Sequence, residues 1–158
     1  MFRNFLNFLH LSLGRARLKF YQNKLAHEMD SWDVFEALET GEPLIVVDGR
    51  TAEAYAQEHI SGSISLPHRD LSTTATATLD KSKTYVCYCD GIGCNASTKT
   101  ALKLLSLGYE VRELIGGLVE ARRLRHRRQE STRREGTGLR MLNLARRLRC
   151  LLTNPRPV

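Results

Sequence analysis

The sequence of 158 residues lacks the features that define several classes of protein. No run of about 18 apolar residues occurs, so we expect no transmembrane helix. Only four cysteines are present, and three of them, Cys87, Cys89 and Cys94, fall within eight residues. Such clustering does not suit the disulfide framework of a secreted domain, so we expect a reducing, cytoplasmic location. The length is that of one domain.

Acidic residues are missing from the start of the chain and scarce at its end. Residues 1–27 include five basic and no acidic residues, whereas residues 121–158 include twelve arginines and only two glutamates. Between them, residues 28–120 hold seven basic and fifteen acidic residues, a net charge of −8. We therefore divide the chain into a basic segment, 1–27, an acidic domain, 28–122, and an Arg-rich tail, 123–158.

The two basic ends of the chain differ in their patterns. Near the start, Phe2, Phe5, Leu6, Leu9 and Leu13 recur with helical spacing, which predicts a basic amphipathic helix over residues 1–27. We expect this helix to pack on the domain or to fray, and peripheral contact with a membrane is the alternative. The tail has no Phe, Tyr or Trp on which bases would stack, so we expect no specific nucleic-acid binding. Its basic composition predicts a segment that is poorly ordered or partly helical.

The most informative part of the chain is the segment 83–97. Residues 83–88 alternate as a buried strand, which places Cys87 inside the protein and Cys89 at the end of the strand. A turn with two glycines follows and exposes backbone N–H groups, and a helix is predicted over residues 96–107. Peptide dipoles arranged in this way bind anions, so we predict that they lower the pKa of the Cys89 thiol.

The loop after Cys89 contains no Lys or Arg. Asp90 adds a negative charge there, so activation of the thiol would depend on backbone dipoles alone. A phosphatase loop of this kind needs an arginine six residues after the cysteine to hold the phosphate, and Asn95 occupies that position. A zinc site is also disfavoured, since Cys87, Cys89 and Cys94 have no second Cys pair beside them. We therefore expect no metal and no cofactor.

The remaining motifs alternate between strands and helices. The apolar run 43–48 is typical of a central parallel strand, Thr51 is placed to cap a helix ending near Gln57, and residues 109–115 alternate as a later strand. The predicted buried face of the helix after the cysteine loop holds Ala101, Leu102 and Leu105. This alternation predicts an α/β domain of three layers, with a mostly parallel central sheet of four to five strands and helices on both faces.

Four segments, in the order in which they occur, resemble the motifs of a known family. They are Val47–Arg50, Glu58–Ile64, Tyr88 and Cys89 with the following loop, and Gly108–Gly117. Over residues 30–122 the chain resembles the rhodanese-like family, the rhodanese-homology domains. The form Cys-x-Gly-x-Gly-Cys-Asn, which begins at Cys89, further resembles a small bacterial single-domain subgroup.

The resemblance implies sulfur transfer. Cys89 would be the nucleophile that takes a sulfane sulfur from thiosulfate, polysulfide or a protein persulfide, and its persulfide would pass the sulfur to a thiol or to cyanide. Asp48, Arg50 and His59 would support the loop, with His59 acting as a hydrogen-bonding turn residue. The persulfide would be held by the backbone N–H groups of Asp90, Gly91, Ile92, Gly93, Cys94, Asn95 and Ala96.

Two departures from the family pattern change the charge of the loop. The commoner loop carries arginine directly after the cysteine and again near its end, where this chain has Asp90 and Cys94. Because thiosulfate is a dianion, the loss of both cations is expected to weaken its binding. Cys94 is either a resolving thiol for Cys89 or a residue that packs the loop. The alternative to an enzyme is a non-catalytic binding module, or a redox-sensing module that uses the pair Cys89 and Cys94.

Overall fold

The fold was analysed in a computed structural model that describes the backbone of residues 2–134 and the side chains of residues 13–127 and 129. Helices and strands alternate along most of this length. Five helices and five strands occur in the described residues. In chain order they are α1 (Phe2–His27), β1 (Glu28–Met29), α2 (Ser31–Thr40), β2 (Leu44–Asp48), α3 (Ala52–Gln57), β3 (Ile64–Ser65), β4 (Thr84–Tyr88), α4 (Ala96–Ser106), β5 (Glu110–Leu114) and α5 (Gly117–Arg134).

The strands form one sheet in the order β1-β5-β4-β2-β3, and every pairing is parallel. Side chains alternate between its two faces, so neighbours such as Val46 and Val47 enter different cores. One core joins the sheet to α2 and α5, and the other joins it to α4. The predicted three-layer α/β fold with a parallel sheet is confirmed, and the count of five strands lies within the predicted range.

Helix α4 presents a different face to the sheet from the one predicted. Leu102 and Leu105 are exposed, whereas Ser97, Thr100 and Leu104 are buried. The reason is the close approach of the helix to the end of β2: a Cβ atom at Gly49 would lie 2.4 Å from Thr100 Oγ1. Only small side chains fit in this space, and the same face therefore directs Ser97 towards the cysteine loop.

Local signals in the sequence account for several element boundaries. The Thr51 side chain accepts a hydrogen bond from the Ala54 N–H, so Thr51 caps α3 as predicted. Gly108 follows α4 with φ of 81°, a left-handed conformation that glycine adopts without strain. Asn95 occupies the N-cap position of α4, but its side chain accepts no hydrogen bond from the first N–H groups of the helix.

The two basic ends of the chain are both helical where the structure describes them. Helix α1 covers almost all of the predicted helix 1–27. Its residues from Leu13 to His27 are exposed, and its backbone approaches β1 and β5. Helix α5 continues into the Arg-rich tail as far as Arg134. The rest of the tail, 135–158, lies outside the described residues. Within residues 2–134, no helix combines the length and the apolar character needed to cross a membrane.

Candidate active site

The candidate site lies where the carboxyl ends of β2, β4 and β5 meet the first turns of α4 and α5. Parallel strands deliver their following loops to the same edge of a sheet, which is where open α/β sheets place ligand sites. A pocket of about 200 Å³ opens at this edge. It is lined by Cys89, Gly91–Cys94, Ser97 and Glu113–Gly117, together with Lys24 and Glu28.

Cys89 reaches this pocket although its side chain is almost entirely buried, with 3% exposed. Its Sγ lies 3.2 Å from the Ser97 hydroxyl oxygen, which can donate to it, and 3.1 Å from the carbonyl oxygen of Cys94. The Gly91 carbonyl oxygen is farther away, at 3.8 Å. A neutral thiol in this position donates its hydrogen to the Cys94 carbonyl. Cys87, by contrast, is buried in the core beneath the site, as predicted.

The prediction of a lowered thiol pKa is wrong for this arrangement. Burial raises the pKa of the Cys89 thiol above its ordinary value, and the neighbouring Cys94 side chain acts in the same direction. Hydrogen bonds from the Ser97 hydroxyl, the Ser97 N–H and the Gly91 N–H lower the pKa and offset only part of the rise. In the protein without substrate, the rise in the pKa of Cys89 caused by the loss of water is therefore larger than the lowering caused by these hydrogen bonds.

The backbone of the loop is used differently from the prediction. The Cys94 N–H donates to the Gly91 carbonyl at 3.1 Å, and this bond closes the turn. Of the predicted loop residues, Gly91, Ile92, Gly93 and Cys94 line the pocket, whereas Asp90, Asn95 and Ala96 do not. The Ser97 N–H, which lies one residue beyond the predicted set, acts to lower the pKa of the Cys89 thiol.

Helix α5 holds the loop from the opposite side. The Leu118 N–H donates to the Cys89 carbonyl at 2.9 Å, and the Val119 N–H donates to the Asp90 carbonyl at 3.0 Å. This contact requires glycine at position 117, because its φ is 54° and a Cβ there would lie 2.3 Å from the Cys89 carbonyl oxygen. The first N–H groups of α5 thus fix the backbone on which the thiol is carried.

Arg50 connects the end of β2 to the residue after the cysteine. Its guanidinium binds the buried Asp48 carboxylate, with the shortest contact at 2.7 Å, and also binds Asp90 at 2.8 Å and the Glu58 carbonyl at 2.6 Å. Burial acts to lower the pKa of Arg50, but its hydrogen bonds to Asp48 and Asp90 and their charges raise it overall. Arg50 therefore neutralises the negative charge that Asp90 adds beside Cys89.

His59 lies in the turn that supports this cluster and is not among the residues lining the pocket. Its ring stacks on Tyr55 with centroids 4.0 Å apart, and its Nδ1 lies 2.9 Å from the Tyr55 carbonyl oxygen. The same turn is fixed to β4, because the buried Tyr88 hydroxyl accepts from the Ile60 N–H at 3.0 Å. His59 thus makes its contacts within the turn, and its support of the cysteine loop stays a prediction.

Two residues at the pocket were not identified as site residues from the sequence. The Ser97 hydroxyl contacts the thiol sulfur. Glu113 lies on β5, where its Oε1 is 2.7 Å from the Ser97 hydroxyl oxygen. Two features of the sequence could have identified these residues. Ser97 lies in the first turn of the helix after the cysteine loop, and the alternation of β5 places Glu113 on the face of the sheet that carries Cys87.

Comparisons with known proteins identify the family of this fold and site. A family model described as the Rhodanese-like domain matches residues 31–123, a span that contains β2, β4 and β5. The chain belongs to the rhodanese-like family. The match includes Arg50, Cys89, Ser97 and Glu113, and it excludes α1 and most of α5.

Several relatives of this rhodanese-like chain have been characterised or solved. Thiosulfate sulfurtransferase PspE of Escherichia coli (strain K12) is 36% identical over 73 residues, which cover 46% of this chain and 68% of PspE. The crystal structure of the BH2092 protein from Bacillus halodurans is 38% identical, with a TM-score of 0.64, and the match covers 75% of this chain and 82% of that protein. A thiosulfate sulfurtransferase from Pseudomonas aeruginosa is 28% identical, with a TM-score of 0.56 over 63% of this chain and 19% of that enzyme.

Metal binding has no evident basis in this rhodanese-like domain as far as the structure describes it. No group of three or more His, Cys, Asp or Glu side chains in that part of the chain is arranged to hold a metal ion. Cys87, Cys89 and Cys94 are all free thiols. The site is therefore described by its thiols, hydroxyls, carboxylates and backbone groups.

Proposed function

We propose that this chain is a sulfurtransferase of the rhodanese type, which carries a sulfane sulfur on Cys89 as a persulfide. The observation that supports this most is the position of Cys89 Sγ, which borders a pocket and lies 3.2 Å from the Ser97 hydroxyl oxygen. Two relatives that are described as thiosulfate sulfurtransferases support the same class of reaction.

The first half of the reaction loads the cysteine. The Cys89 thiolate attacks the outer sulfur of a donor R–S–SH, a new bond forms between Sγ and that sulfur, and the bond between the two donor sulfurs breaks. The donor leaves as R–S⁻ and takes up a proton to become R–SH. The new bond is about 2.05 Å long, so the outer sulfur extends from Cys89 into the pocket.

The second half of the reaction returns Cys89 to its starting state. An acceptor thiolate or cyanide attacks the outer sulfur of the Cys89 persulfide, and the bond from that sulfur to Sγ breaks. The products are a new persulfide or thiocyanate and the Cys89 thiolate. The Ser97 hydroxyl and the Gly91 and Ser97 amides, which act to lower the pKa of the Cys89 thiol, stabilise the negative charge that develops on Sγ in both halves.

The charges around the pocket favour donors other than thiosulfate. Its lining residues include one cation, Lys24, which is paired with Glu28, and a further carboxylate, Glu113. A thiosulfate dianion would enter a site whose lining has a net negative charge, which is unfavourable. We therefore expect small-molecule and protein persulfides, whose persulfide group carries at most one negative charge, to load Cys89 more efficiently than thiosulfate.

Mass spectrometry of the whole protein tests this function directly. The reduced chain is incubated with either polysulfide or thiosulfate, freed from the donor, alkylated and digested. We expect the mass of one additional sulfur atom on the peptide that contains Cys89, and we expect its removal when cyanide is added. An unmodified Cys89 after both donors, in a protein whose thiol still reacts with iodoacetamide, would contradict the proposed function.

Adding a cation to the rim of the pocket should improve the use of thiosulfate. Ile92 is 98% exposed and lines the pocket, so arginine at this position can extend along the opening without displacing core residues. Two unit charges 4 Å apart in water interact by about 1 kcal/mol, and thiosulfate carries two negative charges. We expect Ile92→Arg to raise kcat/KM for thiosulfate roughly tenfold.

The matched control for this change is Ile92→Gln, which has a long polar side chain without charge. Its kcat/KM for thiosulfate should remain close to that of the unmodified protein. The gain from arginine should also shrink as the salt concentration rises, because exposed charges are screened. An equal gain from glutamine, or a gain that salt does not reduce, would show that charge is not what limits thiosulfate.

A redox-sensing module is the second candidate, and one observation favours it. Cys89 and Cys94 line the same pocket, and the Cys94 side chain influences the pKa of the Cys89 thiol. Oxidation of Cys89 would then be resolved by a disulfide with Cys94, with water as the leaving group from a sulfenic acid. Peroxide treatment of the reduced chain followed by peptide mapping tests this, since the module requires a Cys89–Cys94 disulfide and the sulfurtransferase does not.

A further inference from the structure

Ser97 links the candidate nucleophile to a carboxylate on the neighbouring strand. Its hydroxyl oxygen is 3.2 Å from Cys89 Sγ and 2.7 Å from Glu113 Oε1. Ser97 is buried, with 3% of its side chain exposed, so few other partners compete for the hydroxyl. The three groups form one continuous chain of contacts from the floor of the pocket to β5.

The Ser97 hydroxyl has one hydrogen and two available acceptors. A hydrogen bond to an ionised oxygen is stronger than one to a neutral thiol, and the contact to Glu113 is also the shorter one. While Cys89 is neutral, the hydrogen therefore points to Glu113, and the lone pairs of the Ser97 oxygen face the sulfur. Thr98 donates to the same Glu113 oxygen at 2.8 Å, which fixes the carboxylate in place.

We propose that Ser97 and Glu113 relay the Cys89 proton during sulfur loading, an inference that rests on the function proposed above. Ser97 touches the reacting sulfur, and Glu113 acts through Ser97. The relay supplies what the resting thiol lacks, because Cys89 is buried among groups that keep it protonated. It removes the proton as the bond to sulfur forms, so a free thiolate need not accumulate.

Every atom and proton in this step is accounted for. The Cys89 S–H hydrogen, which the resting thiol directs to the Cys94 carbonyl, first turns about the Cβ–Sγ bond to face Ser97. It then moves to the Ser97 oxygen, and the Ser97 hydrogen moves to Glu113 Oε1. At the same time Sγ bonds to the outer sulfur of R–S–SH, and the bond between the donor sulfurs breaks. The proton on Glu113 then returns through Ser97 to the leaving R–S⁻, which departs as R–SH. Glu113 ends as a carboxylate, ready for the next cycle.

Among the charged and titratable groups around Glu113, none that the structure describes forms an ion pair with its carboxylate. Its register partner on β1 is Glu28, which is paired with Lys24 from α1. Its register partner on β4 is Cys87, a buried thiol whose pKa is raised first by burial and then by the charge of Glu113. The hydrogen bonds that the structure assigns to the Glu113 carboxylate come from the hydroxyls of α4.

Beside Cys89 itself, the nearest charges are already compensated. Asp90 is bound by Arg50 at 2.8 Å, and Arg50 is also bound to Asp48. The Cys94 side chain raises the pKa of the Cys89 thiol. Glu113 is thus the carboxylate that a single hydroxyl connects to the sulfur.

A purely structural role for Glu113 predicts the opposite result from the relay. If Glu113 only fixes α4 to β5, its negative charge near the thiol disfavours the thiolate, and it also draws the Ser97 hydrogen away from the sulfur. Glutamine at position 113 would then make Cys89 more reactive. Under the relay, glutamine keeps the shape and the hydrogen bond but cannot accept the proton, so Cys89 becomes less reactive at low pH.

The test measures alkylation of Cys89 by iodoacetamide, a neutral probe, between pH 6 and pH 8 in the full chain and in Glu113→Gln. Peptide mass spectrometry follows Cys89 separately from the other cysteines. We expect a nearly flat rate for the unmodified protein and a rate that rises about tenfold per pH unit for Glu113→Gln, giving a deficit of about 10²-fold at pH 6. Loading by polysulfide should show the same deficit.

Glu110→Gln is the matched control, since Glu110 is exposed on the same strand and does not line the pocket. It should keep the flat profile, and circular dichroism should show both glutamine variants folded. Equal slopes for the unmodified protein and Glu113→Gln, or faster alkylation of Glu113→Gln at pH 6, would overturn the relay. A flat profile in an unmodified protein that takes up no sulfur, together with a pH-dependent rate in Glu113→Gln, would instead overturn the proposed function. It would still show that Glu113 accepts the proton of Cys89.

Discussion

Replacing Cys89 by serine is expected to abolish sulfur transfer. Serine is nearly the same size as cysteine, so the buried position and its contacts to the loop should survive. Its hydroxyl does not ionise near neutral pH and forms no persulfide, so both halves of the proposed reaction lose their carrier. We expect thiocyanate formation from polysulfide and cyanide to fall by on the order of 10⁴-fold or more, as for removal of the nucleophile in other enzymes.

The matched control is Cys150→Ser, which removes a thiol that the sequence places outside the matched domain. This variant should retain the rate of the unmodified protein. Folding of Cys89→Ser is checked by far-UV circular dichroism and by its urea midpoint, which should stay close to that of the unmodified protein. Sulfur transfer that persists in folded Cys89→Ser would exclude Cys89 as the carrier and would make Cys94 the next thiol to replace.

The parts of the fold that sequence reasoning predicted well are those whose signals are local. The apolar run of β2 and the alternation of β4 and β5 identify buried strands without any knowledge of their neighbours. Thr51 identifies the start of α3 because a cap bonds to a backbone group only three residues away. Alternation of such elements then leaves few topologies, which is why the parallel sheet could be predicted.

The parts that were missed depend on contacts between distant residues. The two-residue strand β1 is too short for a periodic pattern, and its pairing with β5 defines it. The buried face of α4 follows from its approach to Gly49, not from the positions of its leucines. Arg50 and Asp90 are forty residues apart, and nothing in either local sequence indicates that they meet.

In the site as well, features with local signals could be predicted, and features that depend on distant residues could not. A strand, a glycine turn and a helix start predict where the Cys89 thiol lies, because these are local features. The protonation state of the thiol depends on how much water is excluded and on which groups replace it, and both are set by the tertiary fold. Burial therefore reverses the predicted direction of the pKa change, and a hydroxyl and a carboxylate from two other elements become relevant.

Arg50→Met is expected to lower the free energy of unfolding by about 3–5 kcal/mol, the usual cost of breaking a buried ion pair. Asp48 is fully buried, and Arg50 binds its carboxylate through the side chain and also through its backbone N–H. Methionine fills much of the same space but leaves the Asp48 charge without its partner. Urea unfolding measures the loss, which should appear as a lower midpoint with little change in slope.

The comparison that isolates the buried charge is with Arg122→Met. Arg122 also pairs with a carboxylate, that of Glu58, but 45% of the Arg122 side chain is exposed, so its removal should cost no more than about 1 kcal/mol. In the double variant Asp48→Asn/Arg50→Met the unpaired charge is gone, and part of the lost stability should return. If Arg50→Met costs no more than Arg122→Met, the buried pair does not stabilise the fold. Arg50 would then matter for the loop alone, through the contact with Asp90 beside Cys89.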